Sequence, residues 1–154
     1  MKISLEGKTA WITGAGSGIG RAAVTALVKA GVRVALSGRR REPLNETLSM
    51  VQSLNGKGII VAVDVADSEA VLAAAEKIRI DLGELDILVN SAGINLPKRR
   101  YSEMKVGDWQ MVIDANLNGA YNCIHAVLPY MRDRGDGLIT VSYTHLTHPT
   151  ILLV

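Results

Sequence analysis

Two hydrophobic rhythms alternate along this chain. Short apolar runs of strand length are separated by longer stretches in which apolar residues return at helical spacing. Residues 8–12 make the first short run. Residues 21–30 follow as a helix, with Ile19, Ala23, Ala26 and Ala30 on its expected apolar face. Gly31 ends that helix, and residues 32–37 form a second strand. Residues 43–55 predict a helix that opens on Pro43 and carries Leu44, Leu48, Val51 and Leu54 along one side. Residues 59–63 are continuously apolar, as in a strand covered on both faces of a parallel sheet. Asp67 or Ser68 caps a helix that runs to Leu82 and stops at Gly83. Residues 86–89 are a fourth strand. From Val106 the spacing predicts one long helix, with Trp109, Val112, Ile113, Leu117, Ala120, Ile124, Val127, Leu128 and Met131 as its apolar stripe. Residues 138–141 are a fifth strand.

Strictly alternating strands and helices imply an α/β fold: a parallel sheet with right-handed crossovers and helices on both faces. The chain holds no tandem repeat and no long linker.

The turn between the first strand and the first helix carries the candidate chemistry. It reads Thr13, Gly14, Ala15, Gly16, Ser17, Gly18, Ile19, Gly20. Amides at a helix start have no intrahelical partners, and the helix dipole favours negative charge there. Glycine lets the chain turn sharply and lets the backbone approach a phosphate. Glycines between a strand and a helix, with another strand soon after, fit a dinucleotide pyrophosphate better than an ordinary turn. Candidate phosphate-binding residues are Gly14, Ser17, Gly18, Ile19 and Gly20.

The end of the second strand is where such sites read the adenosine ribose. A carboxylate there bonds the 2′-hydroxyl of NAD, whereas an arginine accommodates the 2′-phosphate of NADP. Here the chain offers Ser37, Gly38, Arg39 and Arg40, with no acid among them. Arg39 presents a planar fork of donors suited to phosphate. The expectation is NADP over NAD, with Ser37, Arg39 and Arg40 as candidate residues. A plain exposed basic run is the alternative.

Bulk composition narrows the remaining classes. A chain of 154 residues with 48% hydrophobic and 21% charged residues is one globular domain by length. A net charge of +2 is too small to imply nucleic acid. The single cysteine, Cys123, cannot form an internal disulfide, and its apolar surroundings suit a packed thiol. The N-terminus has Lys2, Glu6 and Lys8 and no long apolar run, unlike a signal peptide or a membrane span. A cytoplasmic protein is the expectation.

The pattern Thr-Gly-x-x-x-Gly-x-Gly at residues 13–20 resembles that of the short-chain dehydrogenase/reductase family, and the likeness runs from about residue 5 to 141. Asn90-Ser91-Ala92-Gly93 resembles the family's Asn-Asn-Ala-Gly, with Ser91 departing. Asn116-Leu117-Asn118-Gly119 matches the family's Asn-x-x-Gly. The resemblance implies a Rossmann-type, doubly wound parallel sheet of about five strands in the order 3-2-1-4-5, where the family has seven. It implies that Asp64 and Val65 lie against the adenine, and that Asn90, Ala92 and Gly93 pass close to the cofactor. It further implies that Asn116 has a catalytic part, holding a water in the proton relay. Residues 94–104, with Pro97, Lys98, Arg99 and Arg100, form a basic irregular loop that either borders a substrate pocket or is a mobile surface loop.

Beyond residue 141 the likeness fails. The family continues with a pair of serines, the second catalytic, and then Tyr-x-x-x-Lys. Here Ser142 falls on the first serine position and Tyr143 on the second, and no lysine follows Lys105. Residues 142–154 resemble translated sequencing adapter spliced onto a truncated gene, so the expectation is a cofactor domain at 1–141 and a foreign tail. His145 and His148 alone are too few for a metal site. Ser142 lacks the elbow of a hydrolase nucleophile.

The family resemblance therefore implies an oxidoreductase that moves a hydride between nicotinamide and an alcohol or ketone, homo-oligomeric when intact, and present here as its cofactor-binding part. A non-catalytic dinucleotide-binding module is the alternative. A Rossmann-like methyltransferase would need an acid after the second strand. The fifth strand is expected to stand as a bare edge, with Leu88, Val89, Ile139 and Val141 facing water on at least one side and residues 151–154 without a partner.

Overall fold

A computed structural model describes residues 4–97 and 100–142 and the backbone of Ile151–Leu153. Five strands run parallel: β1 (Thr9–Thr13), β2 (Arg33–Ser37), β3 (Gly58–Ile60), β4 (Ile87–Asn90) and β5 (Leu138–Val141). Their order is β3-β2-β1-β4-β5, the doubly wound order expected. The connections carry α1 (Gly18–Lys29), α2 (Arg41–Ser53), α3 (Ser68–Leu82), α4 (Val106–Ile113) and α5 (Gly119–Arg134).

A sixth strand corrects the bare-edge expectation. The backbone of β6 (Ile151–Leu153) pairs antiparallel with β5, Leu138 facing Leu153 and Thr140 facing Ile151. Leu88, Val89 and Ile139 are also buried, because helices already cover both faces at this point. Only Val141 of the four residues expected to face water is half-buried.

The pleat of β1 divides the core in two. Ala10 and Ile12 point to one face, among Val24 and Val28 of α1 and Leu44 and Val51 of α2. Trp11 points to the other, among Val71 and Ile78 of α3 and Cys123, Val127 and Met131 of α5. Burial pushes the Cys123 thiol up to about 12, as suits a packed, unreactive sulfur. The Trp11 indole is wholly buried, so its N–H needs an acceptor. It donates to Ser37 Oγ at 2.8 Å, and Ser37 in turn donates to the Val61 carbonyl at 2.6 Å.

Three helices differ from their predicted patterns. The buried face of α1 is Gly20, Val24 and Val28, rotated from the predicted stripe, and Ile19 is exposed. Small alanines give a weak periodic signal, so the β-branched valines decide which way the helix faces. In α2 it is Thr47, with Leu44 and Val51, that is buried, whereas Leu54 is largely exposed. The predicted long helix contains a π-helical turn, Asp114–Asn118, between α4 and α5. Upstream of it Trp109 is exposed, and Leu117 within it is exposed too, so only the α5 half of the stripe enters the core. Asp67 is the α3 cap, its carboxylate accepting from the Ala70 amide at 3.0 Å. A 3-10 turn at Tyr101–Glu103 punctuates the irregular loop.

Candidate functional site

Parallel strands leave a crevice beyond their carboxyl ends where the strand order reverses, between β1 and β4. A cleft of about 880 Å³ lies there. Its walls come from the glycine turn, the ends of β2 and β3, the residues after β4, and the π turn.

The glycine turn is shaped by contacts on both sides. Gly14 has φ +65°, and a Cβ there would sit 2.5 Å from the Ser91 carbonyl oxygen. The turn after β1 thus presses directly on the chain leaving β4. Gly18 has φ +53° and open space where a Cβ would be, facing the cleft. Gly20 is buried behind the turn, where a side chain would strike the Gly14 carbonyl. It is therefore a packing residue of the turn and does not line the cleft. Gly14, Ser17, Gly18 and Ile19 do.

The start of α1 carries no acid in its first turn. Its positive dipole end faces the cleft uncompensated, which suits an anion. Arg21 is occupied elsewhere: it donates to Thr47 Oγ1 at 3.0 Å, pairs with Glu46 at 2.8 Å, and bonds the Gly16 carbonyl. Through Arg21 these bonds together tie the glycine turn to α2.

Thr13 connects the two central strands. Its hydroxyl accepts from the Ser91 and Ala92 amides, both at 3.1 Å. Sequence reading placed Thr13 in the motif without a role. Its position at the end of a buried strand, next to a turn needing partners, is the signal that would have supplied one.

At the far wall, Asn116 works as a clamp. Its Oδ1 accepts from the Ile94 amide at 2.7 Å and its Nδ2 donates to the Ile94 carbonyl at 3.0 Å. Asn116 is exposed, with both polar ends of its amide spent on one residue. Asn116 lies within the π turn, and π turns within α-helices recur at functional sites. Three residues on, a Cβ at Gly119 would lie 2.5 Å from Val65 Cγ2, so glycine there lets the chain after β3 pack on the helix. Asn122, unremarked in the sequence, donates to the Val65 carbonyl at 2.9 Å. Asn90 reaches α5, its Nδ2 lying 3.5 Å from the Ala120 carbonyl, and it lines the cleft beside Ala92 and Gly93.

Arg39, Arg40, Asp64 and Val65 line the cleft at its β2–β3 end. Ser37 does not. Its hydroxyl is fully buried and spent on Trp11 and Val61. Ser142 lines the cleft as well, its amide bonded to the Asn90 carbonyl at 2.9 Å. Lys98, Arg99, Tyr143, His145 and His148 lie outside the described residues.

A family model described as short chain dehydrogenase matches residues 8–145. The chain belongs to the short-chain dehydrogenase family. A curated relative, the 3beta-hydroxysteroid dehydrogenase of Mediterraneibacter gnavus, is 36% identical over 131 residues, covering 85% of this chain and 48% of that protein. The 3-oxoacyl-[acyl-carrier-protein] reductase of Thermotoga maritima is 35% identical over 141 residues, covering 91% and 57%. Among solved structures, a 3-ketoacyl-ACP reductase from Sinorhizobium meliloti superposes with a TM-score of 0.81 at 38% identity, over 86% of this chain and 52% of that one. Levodione reductase gives 0.85 at 26% identity, over 88% and 54%. The chain spans about half the length of the curated relatives it matches. Among the described residues, no helix is long and apolar enough to cross a membrane.

As a family member the chain is built for a nicotinamide dinucleotide, and the cleft's shape can be tested against one. Pyrophosphate needs close backbone approach at a helix start without an acid, which Gly18 and α1 provide. The residues fit.

Proposed function

We propose that this protein is an NADP-dependent oxidoreductase of alcohols or ketones, and that the described residues hold its cofactor. One observation carries the reading: a cleft at the strand-order switch combines an open, positive-φ Gly18 with an acid-free helix start and with Arg39 at its far end. When bound, the cofactor supplies a hydride at nicotinamide C4. The turn of Gly14, Ser17, Gly18 and Ile19 binds the pyrophosphate. Arg39 and Arg40 take the 2′-phosphate, and Asp64 and Val65 border the adenine. Asn90, Ala92 and Gly93 form the floor toward the nicotinamide end. Asn116 is then a positioning residue, keeping Ile94 and the segment before it against the cofactor.

No proton donor is assigned to this chain. The sequence has no Tyr-x-x-x-Lys, and no lysine follows Lys105. The parts proposed are a cofactor domain over residues 1–141 and an unrelated segment over 142–154, in a protein that is cytoplasmic and homo-oligomeric when whole. A second reading is a dinucleotide-binding module without chemistry.

Calorimetric titration with NADPH and NADH tests the assignment. A charge-assisted contact to phosphate predicts NADPH tighter by about tenfold or more. Arg39→Ala should remove most of that preference. Equal or tighter NADH binding by the parent chain, unchanged in the variant, overturns it.

A further inference from the structure

Sequence reading finds no carboxylate at the end of β2, yet the fold supplies one from the chain just beyond β3. Arg39 Nη1 lies 4.0 Å from Asp64 Oδ2, and the two side chains are about half exposed. That separation is charge proximity without a hydrogen bond, so the guanidinium donors remain free to take another anion. The carboxylate is held where it is: Asp64 Oδ1 accepts from the Ala66 amide at 3.1 Å in its own turn. Both residues line the main cleft, and both line a smaller neighbouring cavity of about 380 Å³ whose far side includes Asp114. Asp114 is itself engaged, accepting from the Gln110 and Asn118 amides at 2.8 Å each.

Building on the cofactor reading above, we propose that Asp64 is a specificity-determining residue that weakens the preference for a 2′-phosphate by sharing Arg39 with it. A 2′-phosphate seated on Arg39 shares one guanidinium with a fixed carboxylate, so Arg39 holds it less firmly. A 2′-hydroxyl, which carries no charge, does not draw on that guanidinium in the same way. Arg40, which also lines the cleft, leaves the phosphate one cation that Asp64 does not neutralise. Asp64 thereby sets how far the site excludes NADH, without being on the strand where such an acid is normally sought.

Half-exposed charges in water interact weakly, so the effect is moderate. Asp64→Asn should raise the ratio of NADH to NADPH dissociation constants by about threefold to tenfold. Asn keeps an acceptor for the Ala66 amide, and any loss of adenine contact affects both cofactors and cancels in the ratio. In an Arg39→Ala background, Asp64→Asn should change the ratio much less, because the shared cation is gone. The four proteins are titrated calorimetrically with NADPH and with NADH at one low salt concentration.

Outcomes separate the two levels. If Arg39→Ala leaves the ratio unchanged, or the parent chain binds neither cofactor, the NADP reading falls and this proposal with it. If Arg39→Ala lowers the ratio but Asp64→Asn leaves it unchanged or lowers it, the reading stands and this proposal is overturned. An equal rise from Asp64→Asn with and without Arg39 also overturns it, since the carboxylate would then act without sharing that cation.

Discussion

Gly18 shows how much a single residue decides here. Its φ of +53° strains any L side chain, and a β-branched one most. Gly18→Val would not strike the protein, because nothing lies within 4 Å of the added Cβ. It would occupy the space proposed for the pyrophosphate. The expected result is a helical circular-dichroism spectrum close to the parent's, a stability loss of about 1–3 kcal/mol, and NADPH binding lost in the titration. Normal binding would move the phosphate site elsewhere. At the same scale, the motif announces a turn at Gly14 and Gly18, both at positive φ, whereas the Ser37 hydroxyl is spent on Trp11 and Val61. Nothing along the chain announces that a serine in a strand must serve a buried tryptophan in the next one.

At the scale of elements, the turn inside the long helix is the informative case. The helical stripe from Trp109 to Met131 is real in sequence, but the π turn at Asp114–Asn118 shifts its phase. That shift turns Asn116 toward Ile94 and exposes Leu117. Asn116→Ala removes both bonds. With the pair partly solvated, the expected cost is about 1–2 kcal/mol, confined to the segment after β4. Amide exchange at Ile94 should quicken while core amides of β1 and β4 keep their protection, and NADPH affinity should fall. Unchanged exchange at Ile94 would show that the loop is held by other contacts. The strands were read well, each within a residue or two except β3, where the ladder is shorter than the apolar run. Beyond Ile60 the run continues as single bonds, Val61 amide to the Leu36 carbonyl and Val63 amide to the Gly38 carbonyl. Burial made those residues apolar whether or not they sit in a regular ladder.

For the whole molecule, the expected behaviour follows from what the 154 residues contain. Positioned acid–base groups typically contribute about 10² to 10⁴ in rate, and this chain offers no Tyr-x-x-x-Lys. NADPH oxidation with a panel of ketones should therefore stay at background even when the cofactor binds. Turnover at an ordinary enzyme rate would assign the missing proton donor to Tyr143 or another group. Alternation of strand and helix patterns was enough to determine the class, the strand and helix segments and the glycine turn, because each shows as a pattern among residues close in sequence. Their strand order came from the family resemblance. Tertiary structure decided the rest. The pairing of β6 with β5, the burial of Leu88 and Ile139, the grip of Asn116 on Ile94 and the approach of Asp64 to Arg39 all join residues distant in the chain. A pattern along one strand specifies which face is apolar; it does not specify which charge from another strand will stand beside it.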